Sequence, residues 1–277
     1  VEHHVGRGRA DLLSDLLEGL RRDVVVGVEG GRGGEQRQAV GATGHHPVHQ
    51  HRIQAVRLAQ GVGDALQRVI YTESHDEVAN GKARVPQEVD PGDPDGYWAQ
   101  KRSTLGAGLV LTAPGIPMIF QGQEFLEGGW FRDNVPLDWD RNDEYHGIVR
   151  LYRDLIRLRR DFFSTTRGLK GSGLNVIHTN DEANMLAFQR WYDHGPGDDV
   201  VVIANLDAGS KQDYRIGMPE AGLWKLRFNS DARLYSDAFG DFDSFDVTAY
   251  EGDYDDMGAH ADIDIAPYSL LIYSMDE

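Results

Sequence analysis

Residues 1–68 lack nearly all of the aromatic and other side-chain types that a packed domain uses alongside Leu and Val. They contain no Phe, Tyr, Trp, Met, Asn or Lys, and a single Ile, Ile53. A close-packed interior is filled by such residues at regular spacing. From Val69 onward the same chain carries all ten Phe, eleven Tyr, five Trp and five Met. Trp aside, these types have AT-rich codons, so their near-complete joint absence reads as a GC-rich gene translated out of frame. Two other readings fit the segment. One is a low-complexity Gly/Arg tail. The other is a metal-binding cluster of His45, His46, His49 and His51, which lacks the apolar surroundings that hold ligands in place. Leu12, Leu13, Leu16, Leu17 and Leu20 have helical spacing, a pattern that chance also produces. No function is assigned here. The chain starts with Val rather than Met and without a signal peptide, so it is expected to be a fragment.

The rest of the composition narrows the partners. A net charge of -17 argues against nucleic acid and anionic membranes as ligands. No apolar run approaches the length of a membrane span. With no cysteine, disulfides, thiolate metal sites and a Cys nucleophile are excluded. A neutral or cationic ligand remains allowed.

Residues 69–166 read as alternating strands and helices. Val69–Thr72 is a short buried strand ending in Glu73-Ser74-His75-Asp76-Glu77. An acidic, Pro/Gly-containing loop over Val85–Gly96 is long enough for a lid or substrate loop. The spacing then predicts a helix over Tyr97–Leu111, with Trp98, Arg102, Leu105, Leu109 and Thr112 on one stripe. Pro114-Gly115 ends it, and Ile116–Phe120 is a second buried strand that also ends in polar residues, Gln121-Gly122-Gln123-Glu124. A second helix is predicted over Tyr145–Arg160, with Ile148, Leu151, Tyr152, Leu155 and Ile156 facing the core. Ionisable residues at the C-terminal ends of parallel strands are how α/β barrels present their chemistry. Two such units are too few to close a barrel.

The motifs are more specific than the pattern. Tyr71-Thr72-Glu73-Ser74-His75-Asp76 resembles the fourth conserved region of the α-amylase family of glycoside hydrolases. Glu77-Val78-Ala79-Asn80-Gly81-Lys82 is similar to the version of it found in branching enzymes. The segment Thr112–Phe125 resembles that family's eighth barrel strand, and Val135-Pro136-Leu137-Asp138-Trp139 resembles the stretch that follows it in 1,4-α-glucan branching enzymes. The likeness runs over residues 69–277. It implies the last two βα units of an incomplete (β/α)8 TIM barrel.

That resemblance assigns roles. Retaining glucan enzymes use a carboxylate nucleophile and a carboxylic acid about 5 Å apart around an oxocarbenium-like transition state. In this family a third carboxylate binds sugar hydroxyls and stabilises that state. Asp76 resembles this catalytic carboxylate, and His75 resembles the histidine that binds substrate hydroxyls beside it. For Asp76 the plain alternative is a capping or turn aspartate after a strand. Glu73 and Glu77 read as loop or supporting groups. Glu124 would bind substrate or brace the barrel rim. Trp130, Phe131 and Trp139 would stack on sugar rings or pack beneath the loop; Trp130 and Trp139 are carried as substrate-binding candidates. The family's nucleophile and acid/base lie on earlier strands, and no stretch of residues 1–68 resembles either region, so neither role is assigned.

Beyond about Arg167 the period becomes that of strands. Met185–Tyr192, Asp199–Leu206, Leu223–Phe228 and Tyr268–Tyr273 read as strands of an antiparallel β-sandwich over residues 167–277. It resembles the all-β C-terminal domain of amylases and branching enzymes. From Asn229 to the end there are 13 acidic residues against one Arg, a solvated acidic face. Asp253, Asp255 and Asp256 do not have the spacing of an EF-hand loop, and no metal or cofactor is assigned. The resemblance implies a cytoplasmic transferase of glycogen biosynthesis that acts on α-glucan polysaccharide, inactive in this form. Two alternatives remain: an amylase-type hydrolase, or a non-catalytic glucan-binding remnant.

Overall fold

The structure, a computed structural model, describes residues 27–30 and 68–277. The helical leucine pattern over 10–22 and the histidines from His45 to His51 lie outside the described residues.

Strand β1 (Gly27–Gly30) runs antiparallel to β2 (Arg68–Tyr71), with Gly27 opposite Tyr71. Two short helices follow, α1 (His75–Ala79) and α2 (Val85–Val89). The acidic loop is therefore partly helical, because Pro86 sits in the first turn of α2, where its fixed φ suits a helix and its missing N–H costs nothing. Helix α3 (Tyr97–Thr112) leads to β3 (Ile116–Pro117), which lies parallel to β2 with Val69 opposite Ile116. Gly115 makes the turn at φ +146°, where a Cβ would crowd Ile70 and the Arg68 carbonyl. Helices α4 (Asp140–Glu144) and α5 (His146–Arg159) complete this half.

The strand expected over Ile116–Phe120 is shorter and more exposed than its composition suggests. Pro117 has no N–H to donate, and among the described residues β3 pairs with β2 alone, which leaves Ile116 exposed. The stripe expected on α3 is also corrected. The helix is buried nearly all round from Lys101 to Thr112, while Trp98 is exposed. It is wedged between β2, α5 and the β domain, and small residues allow the approach: a Cβ on Gly108 would sit 3.0 Å from Leu270. On α5 the expected face holds at Ile148, Leu151, Tyr152 and Leu155, but Leu158 is buried and Ile156 is not.

The all-β part is an eight-stranded antiparallel sheet. Its strands are β4 (Gly173–Asn180), β5 (Met185–Trp191), β6 (Val200–Asn205), β7 (Lys211–Met218), β8 (Gly222–Asn229), β9 (Val247–Tyr254), β10 (Met257–Ile265) and β11 (Ser269–Ser274). They are ordered β4-β5-β6-β11-β8-β9-β10-β7. The sheet wraps one core, which holds Ile177, Ala187, Ile203, Ile216, Trp224 and Leu271. The outer face of β5, β6 and β11 carries Phe188, Val202 and Ile272 into a second core with Leu105, Leu151 and Leu155 of α3 and α5. Strands β6 and β11 are buried on both faces, so they read as unbroken apolar runs rather than alternating ones.

Among the described residues no helix is long and apolar enough to cross a membrane. None of their His, Asp and Glu groups is placed to hold a metal ion. Asp255 instead closes the sheet: its carboxylate accepts from the backbone N–H of Gly217 at 2.9 Å and pairs with His178 Nδ1 at 2.9 Å, while Tyr214 holds His178 Nε2.

Candidate functional site

Because β2 and β3 are parallel, the residues that follow each of them emerge at one end of the pair. Hydrogen bonds hold those ends together. Gln123 Nε2 donates to the Thr72 hydroxyl, and Gln123 Oε1 accepts from Phe120 N–H at 3.1 Å. Arg84 Nη1 donates to Glu73 Oε1 at 2.9 Å and to the Gln121 carbonyl at 2.8 Å. Glu73 Oε2 accepts from Val85 N–H at 2.7 Å. Both members of the Glu73–Arg84 pair are buried, and burial pushes the Glu73 carboxyl up against the pull of Arg84. Glu73 is therefore a supporting group that positions the strand ends.

Ser74 caps α1, accepting from Glu77 N–H at 3.4 Å. This leaves the Asp76 carboxylate out of the capping role that a strand-end aspartate commonly takes. Asp76 and His75 stand in solvent, each about two-thirds exposed, with His75 Nε2 3.2 Å from Asp76 Oδ1. Glu77 pairs with Lys82 at 3.2 Å. Across the pair, Glu124 lies in a 3-10 turn over Gln123–Phe125, and its buried Oε2 has no hydrogen-bond partner among the described residues.

The three aromatic candidates separate. Phe131 packs edge-on against Phe120 at 5.4 Å, and Arg84 lies 4.2 Å over the same Phe120 ring. Trp139 touches Phe125 at 5.4 Å but keeps 64% of its surface exposed, and Trp130 is 53% exposed. The loop that carries Trp130 is pinned by Gly129 N–H donating to Gln87 Oε1 at 2.8 Å. Trp130 and Trp139 thus each keep more than half of their surface exposed. Sequence reasoning missed Arg84, Gln123 and the buried Tyr152, which hydrogen-bonds Gln123 and whose phenol burial pushes up. Periodicity placed Tyr152 on the core face of its helix but could not reveal its bond to Gln123, and no periodicity marks Arg84 or Gln123.

Residues 176–276 match the all-β C-terminal domain of the α-amylase family. The 1,4-alpha-glucan branching enzyme GlgB of Roseobacter denitrificans is 31% identical over 245 residues, which is 84% of this chain and 31% of that protein. GlgB of Paramagnetospirillum magneticum is 35% identical over 176 residues, 60% of this chain and 22% of that protein. The chain matches the C-terminal part of 1,4-α-glucan branching enzymes. It spans less than a third of the length of these branching enzymes. Residues 69–277 are 209 of 277, fewer than 84% of the chain, so the Roseobacter match reaches upstream of Val69. Among solved structures, type I pullulanase from Bacillus subtilis, complexed with maltose, superposes with a TM-score of 0.51 at 16% identity, over 76% of this chain and 27% of that one. A pullulanase from Anoxybacillus, complexed with maltotriose, gives 0.50 at 17% identity over the same shares. These superpositions show a shared fold.

Proposed function

We propose that residues 69–166 are the last two βα units of a branching enzyme's (β/α)8 barrel, followed by the all-β domain over 167–277. The parent reaction cleaves an α-1,4 link, holds a glucosyl-enzyme intermediate, and passes the chain to a 6-hydroxyl. Here Asp76 hydrogen-bonds ring hydroxyls and stabilises the developing positive charge, while His75 helps hold the same sugar. Glu124 supplies a further acceptor, and Trp130 and Trp139 offer ring faces to the apolar side of a pyranose. One observation carries the reading: Asp76, freed from capping by Ser74, stands at the C-terminal end of a parallel strand whose partner presents Glu124 at the same end.

The antiparallel sense of β1 against β2 supports setting residues 1–68 outside the barrel, since all strands of such a barrel run parallel. Composition favours a frame-shifted segment, and the upstream reach of the Roseobacter match points the other way. Translating the gene in three frames across codons 1–68 separates the two. A strand-end Glu and an upstream Asp in amylase context in another frame mark a shift, and their absence from every frame removes it.

No nucleophile or acid/base is assigned in this chain, so incubation with amylose is expected to create neither α-1,6 links nor new reducing ends. The chain should still be retarded in an amylopectin gel, and retardation should weaken in W130A/W139A. New α-1,6 links would mean that the chain holds its own catalytic pair. New reducing ends alone would make it a hydrolase. Absence of retardation, with neither product formed, would sink the glucan reading.

A further inference from the structure

Asn80 and Gly81 close the turn that carries His75 and Asp76. Of the eight asparagines in the chain, only Asn80 is followed by glycine. That pairing matters because a backbone nitrogen attacks the preceding asparagine side chain most readily when no Cβ shields it. Both residues are exposed, and a Cβ built on Gly81 would meet nothing within 4 Å. The backbone bonds that close the turn come from Asn80 and Lys82 on either side, and Gly81 N–H has no acceptor among the described residues. The attacking atom is therefore bare and solvated.

Its target is restrained. Asn80 caps the C-terminus of α1, and its Nδ2 donates to the Asp76 carbonyl at 2.6 Å. Its own N–H donates to the Asp76 and Glu77 carbonyls at 3.1 and 3.2 Å. Lys82 bridges over Gly81 to Glu77, by N–H to carbonyl and by ammonium to carboxylate, each at 3.2 Å. While these bonds hold, the Asn80 amide is committed to Asp76 rather than to Gly81. The holding structure is slight. Helix α1 is a five-residue turn whose Ser74 cap bond is long at 3.4 Å, and so short a helix gains little from cooperativity. Opening such an exposed end locally costs far less than unfolding the chain.

We propose that Asn80-Gly81 is a site of spontaneous deamidation that unlatches the turn carrying His75 and Asp76. When the turn opens, Gly81 N attacks Asn80 Cγ. A bond forms between them, the Cγ–Nδ2 bond breaks, and the Gly81 proton leaves with Nδ2 as ammonia. Water then opens the succinimide ring at either carbonyl, giving aspartate or isoaspartate at position 80. Either product turns a carboxylate toward the Asp76 carbonyl, acceptor against acceptor, so the latch cannot re-form. The new charge also stands four residues from Asp76, where like charges on a helix repel. Isoaspartate in addition lengthens the backbone by a methylene and misaligns the Lys82–Glu77 closure. None of this depends on the glucan reading.

The test ages the full chain in heavy-oxygen water, in mildly alkaline buffer at physiological temperature, and maps the incorporated oxygen by peptide mass spectrometry. Label is expected at Asn80 at least about ten-fold faster than at any other asparagine, a barrier gap of about 1.4 kcal/mol. Asn80→Gln should remove label from that peptide, because glutamine has to close a larger ring. Backbone hydrogen exchange over residues 74–82 should be faster in the aged chain and in Asn80→Asp than in the fresh chain, with β6 and β11 unchanged. Suppose Asn80 labels no faster than the others while the same peptide labels rapidly in urea. The closed turn then protects Asn80, and the proposal fails. Rapid label with unchanged exchange over 74–82 would equally overturn it, since the Asn80 amide would then hold nothing in place. Should Asn80→Asp fail to fold, exchange in the aged chain decides alone, because the heavy oxygen separates modified from unmodified peptide by mass.

Discussion

Replacing Lys101 by Met is expected to lower the unfolding free energy by about 3–5 kcal/mol, the cost of leaving one partner of a buried ion pair uncompensated. Lys101 on α3 and Asp231 after β8 meet at 2.6 Å, and their side chains are 0% and 3% exposed. The second Asp231 oxygen accepts from Gly240 N–H at 3.2 Å, and the ammonium lies 4.9 Å from the Phe239 ring. Burial pushes the Lys101 pKa down against the pull of Asp231. The asymmetry between breaking and replacing the pair makes the test sharp. K101M strands a carboxylate in the core, whereas K101M/D231L removes both charges and should recover most of the loss. Urea unfolding midpoints of the two single variants and the double variant measure this as a double-mutant cycle. A loss below about 1 kcal/mol for K101M would mean that Asp231 escapes to solvent, as an exposed pair would allow. Because Asp231 also holds Gly240 across the 231–240 loop, K101M should loosen that loop as well.

What the sequence made legible follows from where each segment is buried. Helix α3 was expected over Tyr97–Leu111 and runs Tyr97–Thr112; α5 was expected over Tyr145–Arg160 and runs His146–Arg159. Strands β5, β6 and β11 stand out as apolar runs because one face meets the sheet's own core and the other meets the helices. Strands β4, β7, β9 and β10 went unread. On β9 only Ala249 is buried, so no apolar signal exists to find. On β10 the inward set is Ala259, Ala261, Ile263 and Ile265, a clean alternation disguised by two small residues and the intervening His260, Asp262 and Asp264. The strand ending just before Asp76 was legible as an apolar run followed by polar residues, while the roles proposed for His75 and Asp76 rest on the resemblance alone. The groups that hold it were not. Glu73 meets Arg84 eleven residues on, Gln123 meets Thr72 across fifty-one, and neither spacing is a helical or strand period.

Arg190→Met should be at least as damaging, and by a different route. Arg190 is fully buried on β5, and its partners among the described residues are backbone carbonyls. Its Nε donates to Gly173 at 3.0 Å, one Nη donates to Thr112, and the other donates to Gly171 at 2.7 Å and Leu169 at 3.4 Å. Arg159 of α5 adds bonds to Ala113 at 2.6 Å and Gly115 at 2.7 Å. Two guanidinium groups thus satisfy the carbonyls at and just beyond the C-terminus of α3, which have no partner within the helix and carry its negative end. Burial, with Arg159 nearby, pushes the Arg190 pKa down, so the site holds a cation at a desolvation cost and regains it through these bonds. Methionine fills much of the volume but orphans the carbonyls. At about 1–3 kcal/mol for each buried group left unmade, a total loss of about 4 kcal/mol or more is expected. Lysine should restore only part of it, because its single ammonium cannot span carbonyls that a planar guanidinium reaches from three nitrogens. Hydrogen exchange adds the decisive reading. If Arg190 is the joint between the helices and the sheet, R190M should speed exchange in the last turn of α3 and around Leu169 while the inner strands β6 and β11 stay protected. Uniform loss of protection would instead make Arg190 one contributor to a single cooperative unit, and the helices and the β domain would unfold as one.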